Sequence, residues 1–188
     1  PENVFRTLMI PASMVATVIE DPRVHAVTLT GSEPAGISVA ATAGKSLKKS
    51  VLELGGSDAF IVLEDADLAL TVSQAVASRY LNSGQSCIAA KRFIVVDEVA
   101  DTFVESFRQA VSKLVPGDPM DENTTFAPMA RHDLRDEIHQ QVIDTITAGA
   151  VAVIGCVPED HPGAFYQASI LDHVKPGTRA YSEELFGP

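Results

Sequence analysis

Residues 59–72 read Ala59-Phe60-Ile61-Val62-Leu63-Glu64-Asp65-Ala66-Asp67-Leu68-Ala69-Leu70-Thr71-Val72. The first five form a short apolar run of the kind that makes a buried strand. Asp65 and Asp67 follow as candidate N-caps. Leu68, Val72, Ala75, Val76 and Tyr80 then keep helical spacing, which predicts a helix over about 68–81. The same succession recurs on both sides. Residues 24–29 alternate and are β-branched, Thr30-Gly31-Ser32 punctuates, and residues 34–43 are small, with Pro34 suited to a first helical turn. Residues 51–54 read as a strand stopped by Gly55-Gly56. Downstream, residues 92–96 are strand-like, 98–114 and 131–147 are amphipathic, and 151–154 and 166–171 are further strands. Strand and helix alternating at short spacing predict an α/β fold, three layers α/β/α around a largely parallel sheet. Gly55-Gly56 is the natural crossing between two domains, residues 1–54 and 55–188.

Composition narrows the function. The 188 residues carry 14 Lys plus Arg against 25 Asp plus Glu, a net charge of −11. Such a chain repels phosphate backbones and anionic membrane surfaces, so neither nucleic acid nor membrane is an expected partner. Hydrophobic residues make up 46%, which suits a packed core rather than disorder. Two cysteines, Cys87 and Cys156, make no disulfide framework, so the expected setting is a reducing cytoplasm. The chain begins at Pro1 without Met and stops in a patterned stretch, so it reads as an internal piece of a longer protein.

Three places could carry chemistry. Cys87 ends the polar turn Asn82-Ser83-Gly84-Gln85-Ser86-Cys87, unlike a thiol among apolar neighbours; from spacing alone it is a nucleophile or an inert thiol. Cys156, closing an apolar run, reads as a core thiol. Glu53 stands in Val51-Leu52-Glu53-Leu54-Gly55-Gly56, either a solvated residue of an alternating strand or a partly desolvated general base. Gly31-Ser32, between a strand and a helix, is an ordinary N-cap or a receiver of phosphate oxygens. A P-loop fails: Gly31 to Gly36 lacks the following Lys, and Gly44-Lys45-Ser46 has Val39 where the first Gly belongs. There is no Gly-x-Gly-x-x-Gly. The five histidines are scattered and no Cys-x-x-Cys exists, so no metal site is expected.

Four motifs taken in order resemble the aldehyde dehydrogenase superfamily: Leu29-Thr30-Gly31-Ser32, Leu52-Glu53-Leu54-Gly55-Gly56, Gly84-Gln85-Ser86-Cys87 and Glu183-Glu184-Leu185-Phe186-Gly187-Pro188. The resemblance covers essentially the whole chain. It implies that residues 1–54 are the last part of an NAD(P)-binding domain and 55–188 most of a catalytic domain. It further implies Cys87 as nucleophile and Glu53 as general base. Gly31 and Ser32 would contact the cofactor, the Leu54 carbonyl would hold the nicotinamide amide, Glu184 would bind the nicotinamide ribose, and Phe186 would pack beside it. Glu183 is read as surface. The implied cofactor is NAD or NADP, the substrate an aldehyde, and the parent assembly a homo-oligomer. Glu53 argues for hydrolysis of a thioester over its transfer to CoA.

Cys87-Ile88-Ala89-Ala90-Lys91-Arg92-Phe93 and Ala130-Arg131-His132-Asp133-Leu134-Arg135-Asp136-Glu137 resemble the succinate-semialdehyde dehydrogenase-like branch. Ala89 stands where members of that activity class often carry a second Cys, which excludes a disulfide switch with Cys87 there. Arg92 and Arg131 are guesses for a cation facing a carboxylate-bearing aldehyde, with surface or structural roles favoured. Two other classes stay open: a non-catalytic piece with a structural or association role, and a thioester-forming hydrolase without redox chemistry.

Overall fold

A computed structural model describes residues 1–188. The chain divides into two compact units, Pro1–Gly55 and Gly56–Pro188.

In the first unit, a 3-10 turn at Ala12–Met14 leads into α1 (Val15–Glu20), followed by β1 (Ala26–Gly31), α2 (Glu33–Lys45) and β2 (Lys49–Leu54). β1 and β2 pair in parallel, from Ala26 opposite Lys49 to Gly31 opposite Leu54. The helical crossover that a parallel pair requires is α2. Ser32 is its N-cap residue and Pro34 lies in its first turn, where a missing N–H costs nothing. Its buried face, Val39 and Ala43, packs with Ile19 against Val27, Leu29 and Leu52. Lys48 donates through Nζ to the carbonyls of Ile19 (2.5 Å) and Asp21 (2.6 Å), closing the open end of α1. The sequence pattern had shown neither α1 nor the turn before it; both are too short for periodicity to register.

The second unit runs β3 (Asp58–Val62), α3 (Leu68–Tyr80), β4 (Ala90–Val95), α4 (Asp97–Val111), α5 (His132–Thr147), β5 (Val151–Ile154), β6 (Ile170–Asp172) and α6 (Arg179–Ser182). β3 and β4 are parallel, and α3 is their crossover. Asp67 caps α3 by accepting the Leu70 N–H at 3.1 Å. α4 turns Phe103, Phe107 and Val111 inward at four-residue spacing. Their partners are Val62, Val72, Ala75, Tyr80, Phe126 and Ile170. Phe93 lies between them with ring centroids 5.1 Å from Phe107 and 5.3 Å from Phe60. Tyr80 buries its ring and donates its hydroxyl to the Ser169 carbonyl at 2.8 Å. Met129, Ile138, Ala164 and Tyr166 form a second core cluster beside α5.

The class is α/β, with helices laid on parallel strand pairs. The strands are distributed over three pairs, two parallel and one antiparallel, rather than joined in one sheet. β5 and β6 are the antiparallel pair. Residues 155–169 between them contain no helix; Gly155 and Cys156 take left-handed conformations (φ 69° and 68°), and the chain turns back between Glu159 and Phe165, where the Glu159 N–H donates to the Phe165 carbonyl at 3.2 Å. An antiparallel return needs no crossover. No helix is long and apolar enough to cross a membrane.

Candidate functional site

In the second unit the turn after α3 presents Cys87. Asn82, Ser83 and Gly84 all take left-handed backbone conformations, with φ of 53°, 53° and 72°. Three such residues in succession are costly, so the surroundings must hold them. Ser83 is buried and donates to the Ala127 carbonyl at 2.5 Å. Asn82 donates through its amide to the Gln85 carbonyl at 2.9 Å, and Gln85 accepts the Ala130 N–H at 2.9 Å. Gly84 has the Gly187 carbonyl against it where a Cβ would stand. On this support Cys87 is exposed, whereas Cys156 is buried. Burial pushes the Cys156 thiol pKa up, so it stays protonated as a core residue.

The segment carrying Glu184 and Phe186 is held on three sides. The buried Arg79 donates to the carbonyls of Leu185 (3.1 Å) and Gly187. Gln141, on α5, donates to Glu183 Oε2 at 2.9 Å and to the Glu184 carbonyl at 3.2 Å. Arg179 bridges Glu183 and Asp144. Glu183 keeps a 41% exposed side chain, as a surface residue does, but it is paired: the Arg179 hydrogen bonds hold its carboxyl below the usual glutamate range. Four residues on, in the same stretch, Gly187 is packed against Ile138 and Met129.

Lys91 joins these two segments. Its side chain is 2% exposed, and Nζ lies 3.0 Å from Glu184 Oε1. It also donates to the carbonyls of Ser86 and Cys87, both at 3.0 Å. The ammonium is off-line for a hydrogen bond to Oε1, and that buried oxygen has no other partner. Cys87 and Glu184 are thus brought to one cation. In the sequence Lys91 stands only as part of the motif after Cys87; a lysine four residues after the cysteine, at the edge of a strand-like run, is its one local signal.

In the first unit, register sets Gly31 beside Leu54 and Thr30 beside Glu53. Gly31, Ser32 and Glu53 are exposed and Leu54 is half-buried. Strand alternation thus does place the Glu53 side chain in solvent. Ser32 makes no side-chain cap bond, so its hydroxyl and the first N–H groups of α2 are available. Gly36 lets α2 close on β2: a Cβ there would lie 2.7 Å from Leu54 Cδ1.

Arg92 donates to the Ser57 carbonyl at 2.9 Å, and Arg131 pairs with Asp133, so both have structural partners. No three His, Cys, Asp or Glu side chains converge as metal donors. A cavity of about 410 Å³ among α3, α4 and the residues 169–174 has Lys91 on its wall but neither Cys87 nor Glu184.

The parallel strand–helix–strand units are those of solved aldehyde dehydrogenase structures. The chain belongs to the aldehyde dehydrogenase family, whose profile matches residues 1–188. It is 51% identical over 188 residues to a succinate-semialdehyde dehydrogenase (NADP+) of Mycobacterium avium, covering all of this chain and 40% of that protein. It is 49% identical to a succinate semialdehyde dehydrogenase (NAD(P)+) of Escherichia coli, covering all of this chain and 41% of that protein. A solved structure of succinic semialdehyde dehydrogenase from Streptococcus pyogenes in complex with NADP+ superposes with a TM-score of 0.93 at 42% identity, over 96% of this chain and 40% of that one. The chain spans about two fifths of the length of these relatives.

Proposed function

We propose that this chain supplies the nucleophile and the cofactor-facing end of an NAD(P)-dependent aldehyde dehydrogenase acting on succinate semialdehyde. The observation that carries the reading is the single site made by exposed Cys87 and the clamped Glu184, joined by Lys91. The substrate and the cofactor are taken from what the similar proteins are named for. We assign residues 1–54 to the end of the NAD(P)-binding domain and 55–188 to the catalytic domain.

Each unit by itself carries residues that fit part of a dinucleotide. Glu184 is an anchored carboxylate able to accept ribose hydroxyls, and the Phe186 ring two residues on is 41% exposed, an apolar face ready to pack. Ser32 and the N-terminus of α2 offer donors, with the Leu54 carbonyl in the register position beside Gly31. NAD(P)+, if held by these residues, would supply a hydride acceptor for the oxidation.

The chain's own residues do the rest. The Cys87 thiolate adds to the aldehyde carbonyl carbon; the C–S bond forms and the π pair moves to oxygen. The oxyanion needs a preorganised donor, a role for the Cys87 backbone N–H. Glu53 takes the proton of a water that attacks the thioester; the C–S bond breaks, the thiolate returns and the acid leaves. The nucleophile serves the addition and the carboxylate base the hydrolysis; the oxidation between them would draw on the dinucleotide. The cytoplasm is the compartment in which two unpaired thiols persist, and a homo-oligomer is the expected assembly.

The test is NAD(P)H formation with succinate semialdehyde by the complete polypeptide carrying residues 1–188, set against Cys87→Ser. Loss of turnover is expected. Retained turnover in Cys87→Ser refutes the assignment.

A further inference from the structure

Lys91 is the second residue of β4, and its ammonium is withdrawn from water. Four oxygens surround it: the carbonyls of Ser86 and Cys87 at 3.0 Å, that of Ala89 at 3.5 Å, and Glu184 Oε1 at 3.0 Å. An ammonium has three donors, and a buried one is tolerated only where protein oxygens replace its hydration. Strand β4 itself asks for no such group. The next residue, Arg92, spends its contact on the Ser57 carbonyl.

The other cation whose field reaches Glu184 is Arg79. Its guanidinium is engaged by the carbonyls of Ala90, Leu185 and Gly187. Arg79 therefore holds the backbone of the acidic segment, while Lys91 faces its carboxylate.

Resting on the reading above, we infer that Lys91 is a positioning residue that ties the nucleophile segment to the cofactor-binding carboxylate. By drawing in the Ser86 and Cys87 carbonyls it fixes the peptide from which the Cys87 side chain projects. By engaging Oε1 it anchors one oxygen of Glu184 and leaves the exposed part of that carboxylate for hydroxyls. A change at Glu184 is felt at Cys87 through this one ammonium.

The experiment is a double-mutant cycle on the complete polypeptide, with Lys91→Met, Glu184→Gln and both together. Two quantities are read: the rate of Cys87 alkylation by iodoacetamide without cofactor or aldehyde, and the Kd for NADP+ by calorimetry. Lys91→Met weakens NADP+ binding about tenfold or more, because the buried cation facing the Glu184 carboxylate is removed and that oxygen is left unpaired. Glu184→Gln shifts the Cys87 alkylation rate while Lys91 is present and leaves it unshifted in the Lys91→Met background. Lys91→Arg, which keeps the charge, recovers the greater part of both. Unchanged NADP+ affinity in Lys91→Met, or alkylation effects that multiply independently, overturns the inference.

Should Lys91→Met fail to fold, Glu184→Gln decides: an alkylation rate equal to that of the unaltered protein overturns the coupling, and a shifted rate that persists in the Lys91→Arg background, where the charge is kept, supports it. Alkylation needs no dehydrogenase chemistry. Absent turnover and absent NADP+ binding in the unaltered protein therefore refute the function, whereas normal turnover with independent alkylation effects refutes only the role of Lys91.

Discussion

Arg79, in the last turn of α3, donates from Nη2 to the carbonyl of Leu185 at 3.1 Å, across 106 positions of sequence. The same guanidinium reaches the carbonyls of Gly187 and Ala90, and the residue is 7% exposed. One side chain thus fastens the helix leading into the Cys87 turn to the segment that carries Glu184. Arg79→Leu leaves these carbonyls without their donor in a dry site. It is expected to cost about 3 kcal/mol of stability in urea denaturation. Arg79→Lys should fall between, since a point charge cannot span the fork.

Gly84 tests the backbone beneath the nucleophile. Its φ is 72°, and the Gly187 carbonyl and Arg79 stand where a side chain would grow. Gly84→Ala therefore meets both a conformational penalty of about 1–2 kcal/mol and a collision with backbone. A lowered Tm is expected, together with faster amide exchange over residues 82–91. An unchanged Tm would mean that the turn relaxes freely.

The two thiols should separate in reactivity. Cys87 is exposed, whereas Cys156 is buried with its thiol pKa raised by desolvation. Under limiting iodoacetamide at neutral pH, peptide mapping should find label on Cys87 before Cys156. Prior labelling of Cys156 in the folded protein would contradict the placement of both residues.

Arg179 makes the acidic segment sensitive to pH. Its hydrogen bonds hold the carboxyls of Glu183 and Asp144 below their ordinary values. For a depressed carboxylate, the stabilisation is complete above the unfolded pKa and is lost as pH falls through the folded one. The window therefore lies on the acid side of the normal carboxylate range, about pH 4. Glu183→Gln should flatten the loss of stability there and change little at neutral pH. A titration of Glu183 by NMR should place its midpoint below that of a free glutamate.

Phe107 and Phe186 should respond oppositely. Phe107 is 3% exposed within the aromatic core, so Phe107→Ala is expected to cost about 3–5 kcal/mol. Phe186 is 41% exposed, so Phe186→Ala should change stability by less than about 0.5 kcal/mol. On the proposed reading, Phe186→Ala instead weakens NADP+ binding, measured by calorimetry. A core-sized stability loss at Phe186 would show that the ring packs within the unit.

The succession of elements was legible in the amino-acid sequence because it rests on local periodicity and punctuation. The strand at Val151–Ile154, the cap at Asp67 and the helix His132–Thr147 follow from neighbours within a few residues. The motifs around Gly31, Glu53, Cys87 and Glu184 were legible for the same reason, and they led to the family that the comparisons establish. Tertiary structure alone decided which strands pair, that β6 returns antiparallel to β5, and that Gly31 stands beside Leu54. It also gave the surface residue Glu183 its partners Arg179 and Gln141, and made Lys91 the link between two distant segments. These relationships depend on which polar groups are buried together. A buried ammonium or guanidinium must find oxygens wherever the folded chain offers them, and sequence distance sets no limit on where those lie.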